Sequence, residues 1–427
     1  MRRPMFFIMA MLFAVGFARA QEKPAPDQGE QIKALLARVE MLEREVADLK
    51  AAQAAAATPA AVAVQVSAAP AAGAPGGQPA PKSEREAQAT REAVQQYESH
   101  YPSLQIRGFG DVDFSATDTK GATSGFNMGE FDLHIASALS RKVSFFAEVT
   151  FNAQPTGYNL EVERSFVRYD YNDHFKLSFG RFHTPIGYWN TAFHHGTWLQ
   201  TTVDRPFMFM DGGTFTPIHM VGFLAEGSIP SGGLGLGYNI GVGNGRGSLI
   251  ERPGDAGDVN NNRAWVAKLF ARPAKPHGLE LGGSFYRDKI TLPAGPEYRE
   301  WIAAAYLTWT KGAPEFLSEF ENVNHRSIST NQVANSDAFY TQFGYRLPWF
   351  ERPLKPYYRF EYTHMPLSEQ VFAYQPRAES IAGIRWDISN FAAFKLEYQH
   401  LGSHPAQGGN PAQPAENAGF VQTAFTF

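Results

Sequence analysis

Charged side chains recur at every second position in many segments of this chain, and that spacing puts them on one face of an extended strand. Asp111 and Asp113 form one such pair, and Glu130 and Asp132 form another. A face of this kind can attract, repel or bind ions. The charged candidates on the polar strand faces are Arg107, Asp111, Asp113, Glu130, Asp132, Arg164, Arg168, Arg359, Arg385 and Lys395.

The two acidic pairs are close enough along the chain to face each other. If the first two strands form a hairpin around residues 116–127, Asp111 lies near Asp132 and Asp113 lies near Glu130. Like charges facing across strands are unfavourable unless they are neutralised. Two arrangements meet that need: basic side chains form ion pairs with the acids, or a divalent cation lies among them.

Histidine offers the remaining chemistry. His134 lies two residues from Asp132, and His194 adjoins His195 in a long connection. The chain has no G-x-S-x-G elbow, H-E-x-x-H helix or Walker loop. Adjacent histidines in a loop are most often solvated or packed polar residues. We therefore predict no enzyme activity, no catalytic residue, no metal site and no cofactor.

The elements that must position these residues are strands. Each alternating segment has about the ~10 residues that a tilted strand needs to cross a bilayer. We therefore predict an all-β membrane protein, an antiparallel transmembrane β-barrel of about 16 strands. The segments are 104–115, 129–140, 142–153, 160–171, 174–183, 217–228, 234–243, 263–272, 277–287, 299–311, 314–324, 337–347, 355–364, 379–388, 391–401 and 418–427.

The connections between these segments alternate between short and long, which is typical of outer-membrane barrels. The third long connection, about 184–216, is the longest and is rich in aromatic side chains such as Trp189, Trp198 and Phe209. Loops of this length are usually functional or disordered. We predict that it folds into the barrel as a constriction, with Asp204, Arg205 and Asp211 among the groups facing solutes. The alternative is a surface loop that packs on a neighbouring subunit.

The first hundred residues follow different patterns. Residues 1–20 read as a signal peptide cleaved after Ala20, since the apolar run is too short for a spanning helix. Residues 30–53 carry heptads typical of a parallel coiled coil, although a lone amphipathic helix remains the alternative. An Ala/Pro-rich linker at 54–82 and a short helix at 83–102 precede the barrel at 103–427.

Composition excludes other classes. The chain has 427 residues and no Cys, so thiol and disulfide chemistry are excluded. The formal net charge of -4, without a basic stripe, argues against nucleic acid as a partner.

The stretch GRFHTPIGYWN at 180–190 resembles the G-x-F-x-x-P-x-G motif of the phosphate-selective porin O and P family. The resemblance spans roughly 104–427 and implies a trimeric sixteen-strand porin whose third loop enters the channel. It assigns Gly180, Phe182, Pro185 and Gly187 as structural residues at the end of the fifth strand. Lumen acids at least match lumen bases here, so phosphate selectivity does not follow from the sequence.

These observations predict an outer-membrane porin for passive diffusion of small hydrophilic solutes or ions, with inorganic anions such as phosphate among the candidates. The expected partners are outer-membrane lipid, further copies of the chain and peptidoglycan. The family implies a homotrimer, whereas the heptad pattern alone favours a dimer. The alternative function is a structural anchor that tethers the outer membrane to the cell wall through a closed barrel.

Overall fold

The structure, a computed structural model, describes residues 101–427 except 211–214, 248, 251, 351, 374 and 409. The predicted signal peptide, coiled coil and linker, and nearly all of the predicted helix at 83–102, lie outside these described residues. Within them, no helix is both long enough and apolar enough to cross a membrane.

Sixteen antiparallel strands close into one barrel, as predicted. The first strand pairs with both the second and the last, so the sheet has no free edge. The strands are β1 (Ser103–Thr117), β2 (Gly125–Ala138), β3 (Val143–Gln154), β4 (Gly157–Asn172), β5 (Phe175–His183), β6 (His219–Ile229), β7 (Leu236–Asn244), β8 (Ala264–Ala271), β9 (Leu279–Thr291), β10 (Glu297–Trp309), β11 (Pro314–Ser327), β12 (Val333–Tyr345), β13 (Leu354–His364), β14 (Arg377–Trp386), β15 (Ala392–Leu401) and β16 (Glu416–Thr426).

Alternation of side chains explains why these segments form strands of a membrane barrel. Along β10, Glu300, Ile302 and Tyr306 point inward and are buried, whereas Leu307 and Trp309 point outward and are exposed. A strand with this pattern meets lipid with one face and fills the barrel with the other.

The connections lie at two ends, because neighbouring strands run in opposite directions. We call one the loop end; it holds 118–124, 155–156, 184–218, 245–263, 292–296, 328–332, 365–376 and 402–415. The other, the turn end, holds 139–142, 173–174, 230–235, 272–278, 310–313, 346–353 and 387–391. The predicted strand segments leave connections at 288–298 and 325–336, and both are shorter in the structure because strand pairing continues to Glu297–Thr291 and Arg326–Val333.

Among the bulges of the first five strands, those on β2 and β4 shift the inward pattern near the inner loop. On β2, residues 129–130 oppose the single residue Asp111 of β1. On β4, Glu163 is an extra residue between the pairs Glu148–Arg164 and Val149–Val162. A bulge re-aims side chains locally, and here it places Glu163 and Arg164 on the inner side together.

Candidate functional site

We call the connection between β5 and β6, residues 184–218, the inner loop; its described residues, 184–210 and 215–218, lie inside the barrel. It includes one short helix, α1 (Trp189–Ala192), and a 3-10 turn at Phe207–Phe209. Its described residues contact inward side chains of strands on both sides of the lumen. Thr197 Oγ1, for example, donates to Asp111 of β1, and Gly187 N–H donates to Ser284 of β9, on the opposite side of the barrel.

Buried carboxylates of the wall accept hydrogen bonds from the backbone of the inner loop. Glu319 accepts from the N–H groups of Tyr188 and Trp189, at 2.5 and 2.9 Å. On β13, Glu361 accepts from Phe207 N–H at 2.7 Å. Hydrogen bonds to charged groups are about twice as strong as neutral ones, so these acids hold the loop at separate points.

Buried bases of the wall donate to carbonyl groups of the same loop. Arg359 Nη1 donates to Asp204 O at 2.9 Å, and Lys395 Nζ donates to Thr202 O at 2.7 Å. Arg385 Nη1 donates to Gln200 O at 2.6 Å. The predicted lumen residues Arg359, Arg385 and Lys395 therefore face the interior, where they bind the loop backbone.

The other side of the inner loop is apolar. Trp189, Phe209 and Phe215 are almost fully buried. They belong to one cluster with inward apolar side chains of β6 and β8–β12, such as Ile302 and Tyr340. Burying a large apolar side chain stabilises a protein by about 1.5–3 kcal/mol. The loop is thus packed on one arc of the wall and held by charged groups on the next.

The motif residues at 180–187 determine the path of the backbone as it leaves β5 and enters the inner loop. Gly180 has φ of 142° and lies so close to the β4 backbone at Ser165 that a Cβ would overlap it. Gly187 has φ of 64° and lies against the carboxylate of Glu319. Phe182 and Pro185 are buried, and Phe182 is in the apolar cluster.

The three residues predicted for the constriction have different positions. Asp204 Oδ2 accepts a hydrogen bond from Gln399 at 2.9 Å. Arg205 Nη2 forms an ion pair with Glu130 Oε1 at 3.1 Å. Asp211 lies outside the described residues. Asp204 and Arg205 both line the cavity at the loop end that is described below.

The register of β1 and β2 corrects the predicted facing of the acids. Asp132 lies opposite Phe109, and Asp113 lies opposite Asn127. The bulge at 129–130 causes this shift and brings Asp111 beside Glu130, whose N–H donates to Asp111 Oδ1 at 3.2 Å. Asp132 is buried and accepts from Thr150 Oγ1 at 2.6 Å.

The remaining predicted bases, on β1 and β4, lie nearer the turn end of the barrel. Arg164 Nε is 2.5 Å from Glu148 Oε2, and Arg168 Nε is 2.8 Å from Asp170 Oδ1. Arg107 is exposed and lies opposite His134 in the β1–β2 pairing.

Two cavities flank the inner loop. The turn-end cavity has a volume of about 1000 Å³, and its charged lining residues are Arg164, Arg168, Asp173, Lys176, Glu226, Lys268, Arg272 and Glu280. The loop-end cavity has a volume of about 500 Å³, and its charged lining residues are Asp111, Asp113, Glu130, Glu161, Glu163, Arg181, Asp204, Arg205 and Arg252. Bases outnumber acids in the first cavity, and acids outnumber bases in the second.

A cluster of four histidines, His183, His194, His195 and His219, lies where the inner loop meets the wall of the barrel near β2, β4 and β6. His195 lies between Glu130 and Glu163, with nitrogen–oxygen distances of 3.2 Å on each side. Burial alone would lower the pKa of His195, but the two carboxylates outweigh it and raise that pKa well above its usual value. Burial, together with the charge of His195, holds the pKa of His194 well below its usual value.

Sequence reasoning missed several residues of this interior. Strict alternation along β4 predicts that the side chain of Glu163 points outward. The bulge that turns it inward cannot be recognised from the sequence. His183 and His219 stand at the two ends of the inner loop, and their proximity to His194 depends on the path of that loop. The adjacent pair His194–His195 was the one available signal.

Comparisons with known proteins agree with this architecture. The model of the family described as phosphate-selective porin O and P matches residues 104–211, which confirms the predicted resemblance. A search of curated protein sequences finds no match.

Solved porin structures share the fold at low sequence identity. An anion-selective porin from Comamonas acidovorans is 12% identical with a TM-score of 0.55, covering 76% of this chain and 99% of its own. OmpF from Salmonella typhi, in complex with daunomycin, is 10% identical with a TM-score of 0.53, covering 77% and 99%. The channel DcaP of Acinetobacter baumannii is 12% identical with a TM-score of 0.52, covering 76% and 97%.

Proposed function

We propose that this protein is an outer-membrane porin in which the inner loop narrows the water-filled path for small hydrophilic solutes. The observation that carries the proposal is the inner loop itself, which lies inside a closed sixteen-strand barrel with a charged cavity on each side. A barrel of this strand number is wide enough for an aqueous channel. The matching family model and the porin fold support a channel rather than an enzyme and support the bacterial outer membrane as its location.

The two cavities suggest how ions are treated. An ion that crosses the barrel meets an excess of acids at the loop end and an excess of bases at the turn end. Rings of one sign set ion preference in a pore, and here neither sign dominates. Arg359, Arg385 and Lys395 are engaged by the loop backbone. We infer weak overall selectivity, with small inorganic anions such as phosphate admitted among other solutes.

The partners follow from the same proposal. The exposed apolar face of the strands contacts outer-membrane lipid. Copies of the chain associate as a trimer, as the family resemblance implies, with the segment at 30–53 holding subunits together or reaching the peptidoglycan. Native mass spectrometry of the detergent-solubilised protein distinguishes a trimer from the dimer that the heptads favour.

The alternative is a closed barrel that serves as an anchor. It is favoured by the bonds of the inner loop to β9 and β11 on one side of the lumen and to β1 on the other, since a loop held at so many points leaves less room for solutes. Deleting residues 21–82 separates the two functions. An anchor that lacks this segment sheds membrane vesicles, whereas a porin that lacks it still conducts.

The deciding test is single-channel conductance of the purified protein in a planar bilayer with a KCl gradient, before and after addition of phosphate. Stable open steps are expected, with larger steps after deletion of 190–210. Circular dichroism and heat-dependent gel migration show whether each barrel is folded. A folded protein without conductance would overturn the porin proposal and favour the anchor.

A further inference from the structure

Four side chains from three separate parts of the fold converge beside the inner loop. Glu163 comes from β4, His219 from the start of β6, and His194 and His195 from the loop. Each offers one ligand atom, and these atoms all lie within 4.8 Å of one another. Glu163, His194 and His195 are almost fully buried.

The spacing of these atoms matches a tetrahedral metal site. Oε2 of Glu163 lies 2.8 Å from Nε2 of His219, 3.2 Å from Nε2 of His195 and 3.9 Å from Nε2 of His194. Neighbouring ligands in a tetrahedral site with bonds of about 2.0–2.1 Å are about 3.3 Å apart, which lies within this range. The 2.8 Å contact of His219 with Glu163 joins the start of β6 to the bulge of β4.

Two carboxylates next to the cluster orient the ring of His195 as a metal ligand. Nδ1 of His195 lies 3.2 Å from Glu130 Oε2 and 3.8 Å from Asp132 Oδ1. A carboxylate beside Nδ1 accepts a hydrogen bond from the N–H of that nitrogen, which leaves the lone pair of Nε2 directed to the metal. The bulge on β4 supplies the carboxylate ligand, because Glu163 is its extra residue.

One contact must change when a metal binds. Nδ1 of His194 lies 3.2 Å from Nη1 of Arg205. Coordination through Nε2 puts a proton on Nδ1, so the guanidinium moves away and keeps its ion pair with Glu130. The ion has a route to the cluster, since Glu163 and His219 line the loop-end cavity.

We propose that Glu163, His194, His195 and His219 bind one divalent transition-metal ion, and that this ion fastens the inner loop to β4 and β6. Three imidazoles and one carboxylate suit zinc and its neighbours better than calcium or magnesium, which prefer oxygen ligands. Four protein ligands leave no open position, so the site is structural rather than catalytic. This differs from the sequence-based expectation of no metal site, and it does not depend on conduction by the barrel.

The first test is calorimetric titration of ZnCl2 into the chelator-treated full chain, which carries no histidine tag. We expect one zinc ion per chain. His219→Asn and Glu163→Gln should each weaken binding on the order of 100-fold, and Glu130→Gln should weaken it about 10–100-fold by releasing His195. His277→Asn, which alters an exposed histidine in a turn, is the matched control and should bind as the parent does.

The second test uses the parent protein alone, so it does not depend on the folding of a variant. CoCl2 bound at a tetrahedral site gives intense visible absorption bands, and added ZnCl2 should remove them. The proposal is overturned if cobalt shows the weak spectrum of a six-coordinate ion. It is also overturned if a folded His219→Asn protein binds zinc as tightly as the parent.

Discussion

Gly187 lies directly against the carboxylate of Glu319, and this contact allows the inner loop to bind the wall of the barrel. A side chain at Gly187 would overlap Glu319 Oε2, the same oxygen that accepts the N–H of Tyr188. The backbone at Gly187, with φ of 64°, is also in the left-handed region that favours glycine. A glycine assigned to the motif by resemblance thus has a physical reason.

Gly187→Ala is expected to loosen the start of the inner loop. The left-handed backbone costs about 1–2 kcal/mol, and displacement of Glu319 weakens hydrogen bonds worth about 1.5–3 kcal/mol each. Thermal unfolding followed by circular dichroism should show a clearly lower midpoint. Gly295→Ala is the control, since Gly295 has φ of 95° but open space around its Cα. Equal losses in the two variants would show that the contact with Glu319 contributes nothing.

Lys395→Met tests the basic side of the wall. Lys395 is fully buried and donates to Thr197 O and Thr202 O at 2.6 and 2.7 Å. Methionine fills a similar volume but cannot donate, so attachment of the loop should weaken by about 1.5–3 kcal/mol. Single-channel recordings should show more frequent conductance fluctuations than in the parent. Recordings as quiet as those of Lys120→Met, a change in an exposed loop, would contradict the prediction.

Lys176→Glu should shift ion preference toward cations. Lys176 lines the turn-end cavity, where bases are in excess. Reversing one charge about 8 Å from an ion in water changes the energy of that ion by about 1 kcal/mol, or about fivefold in the permeability of that ion. The reversal potential in a KCl gradient measures this. Lys275→Glu, in a turn and not among the residues that line the cavity, should leave the potential unchanged; a matching shift there would contradict the assignment.

Acid should loosen the connection at 365–376 through Glu369. Its carboxylate accepts from Val371 N–H at 2.8 Å and lies 3.0 Å from His325 Nδ1, while Glu300 and Arg246 continue the charged network beyond His325. Burial alone would raise the pKa of Glu369, but the bonds to His325 outweigh it and lower that pKa below its usual value of 4.5.

A carboxyl whose pKa is lowered by folding stabilises the fold above its usual pKa, and that stability is lost as the pH falls through the folded value. The difference in unfolding midpoint between the parent and Glu369→Gln should therefore be large at neutral pH and shrink below about pH 4.5. Glu416→Gln, at the first residue of β16, provides the control. A difference that stays constant across this range would show that the charge of Glu369 is not responsible.

The sequence by itself determined the barrel. Alternation with period 2 is a local property, and in segments such as 299–311 it distinguishes the lipid face from the inner face without knowledge of any partner strand. The unusual length and aromatic content of 184–216 likewise predicted a packed loop. The observed strands follow this alternation, because each strand must present apolar side chains to lipid on one face and fill the interior with the other.

Only the tertiary structure decided which residues meet inside. Glu319 reaches Trp189, and Lys395 reaches Thr202, because the barrel closes and the loop crosses it; chain spacing does not encode either contact. A single extra residue at Glu163 reverses the alternation of β4 and brings a carboxylate to His195 and His219. Bulges and long-range closure depend on how whole strands pair, so local periodicity cannot reveal them.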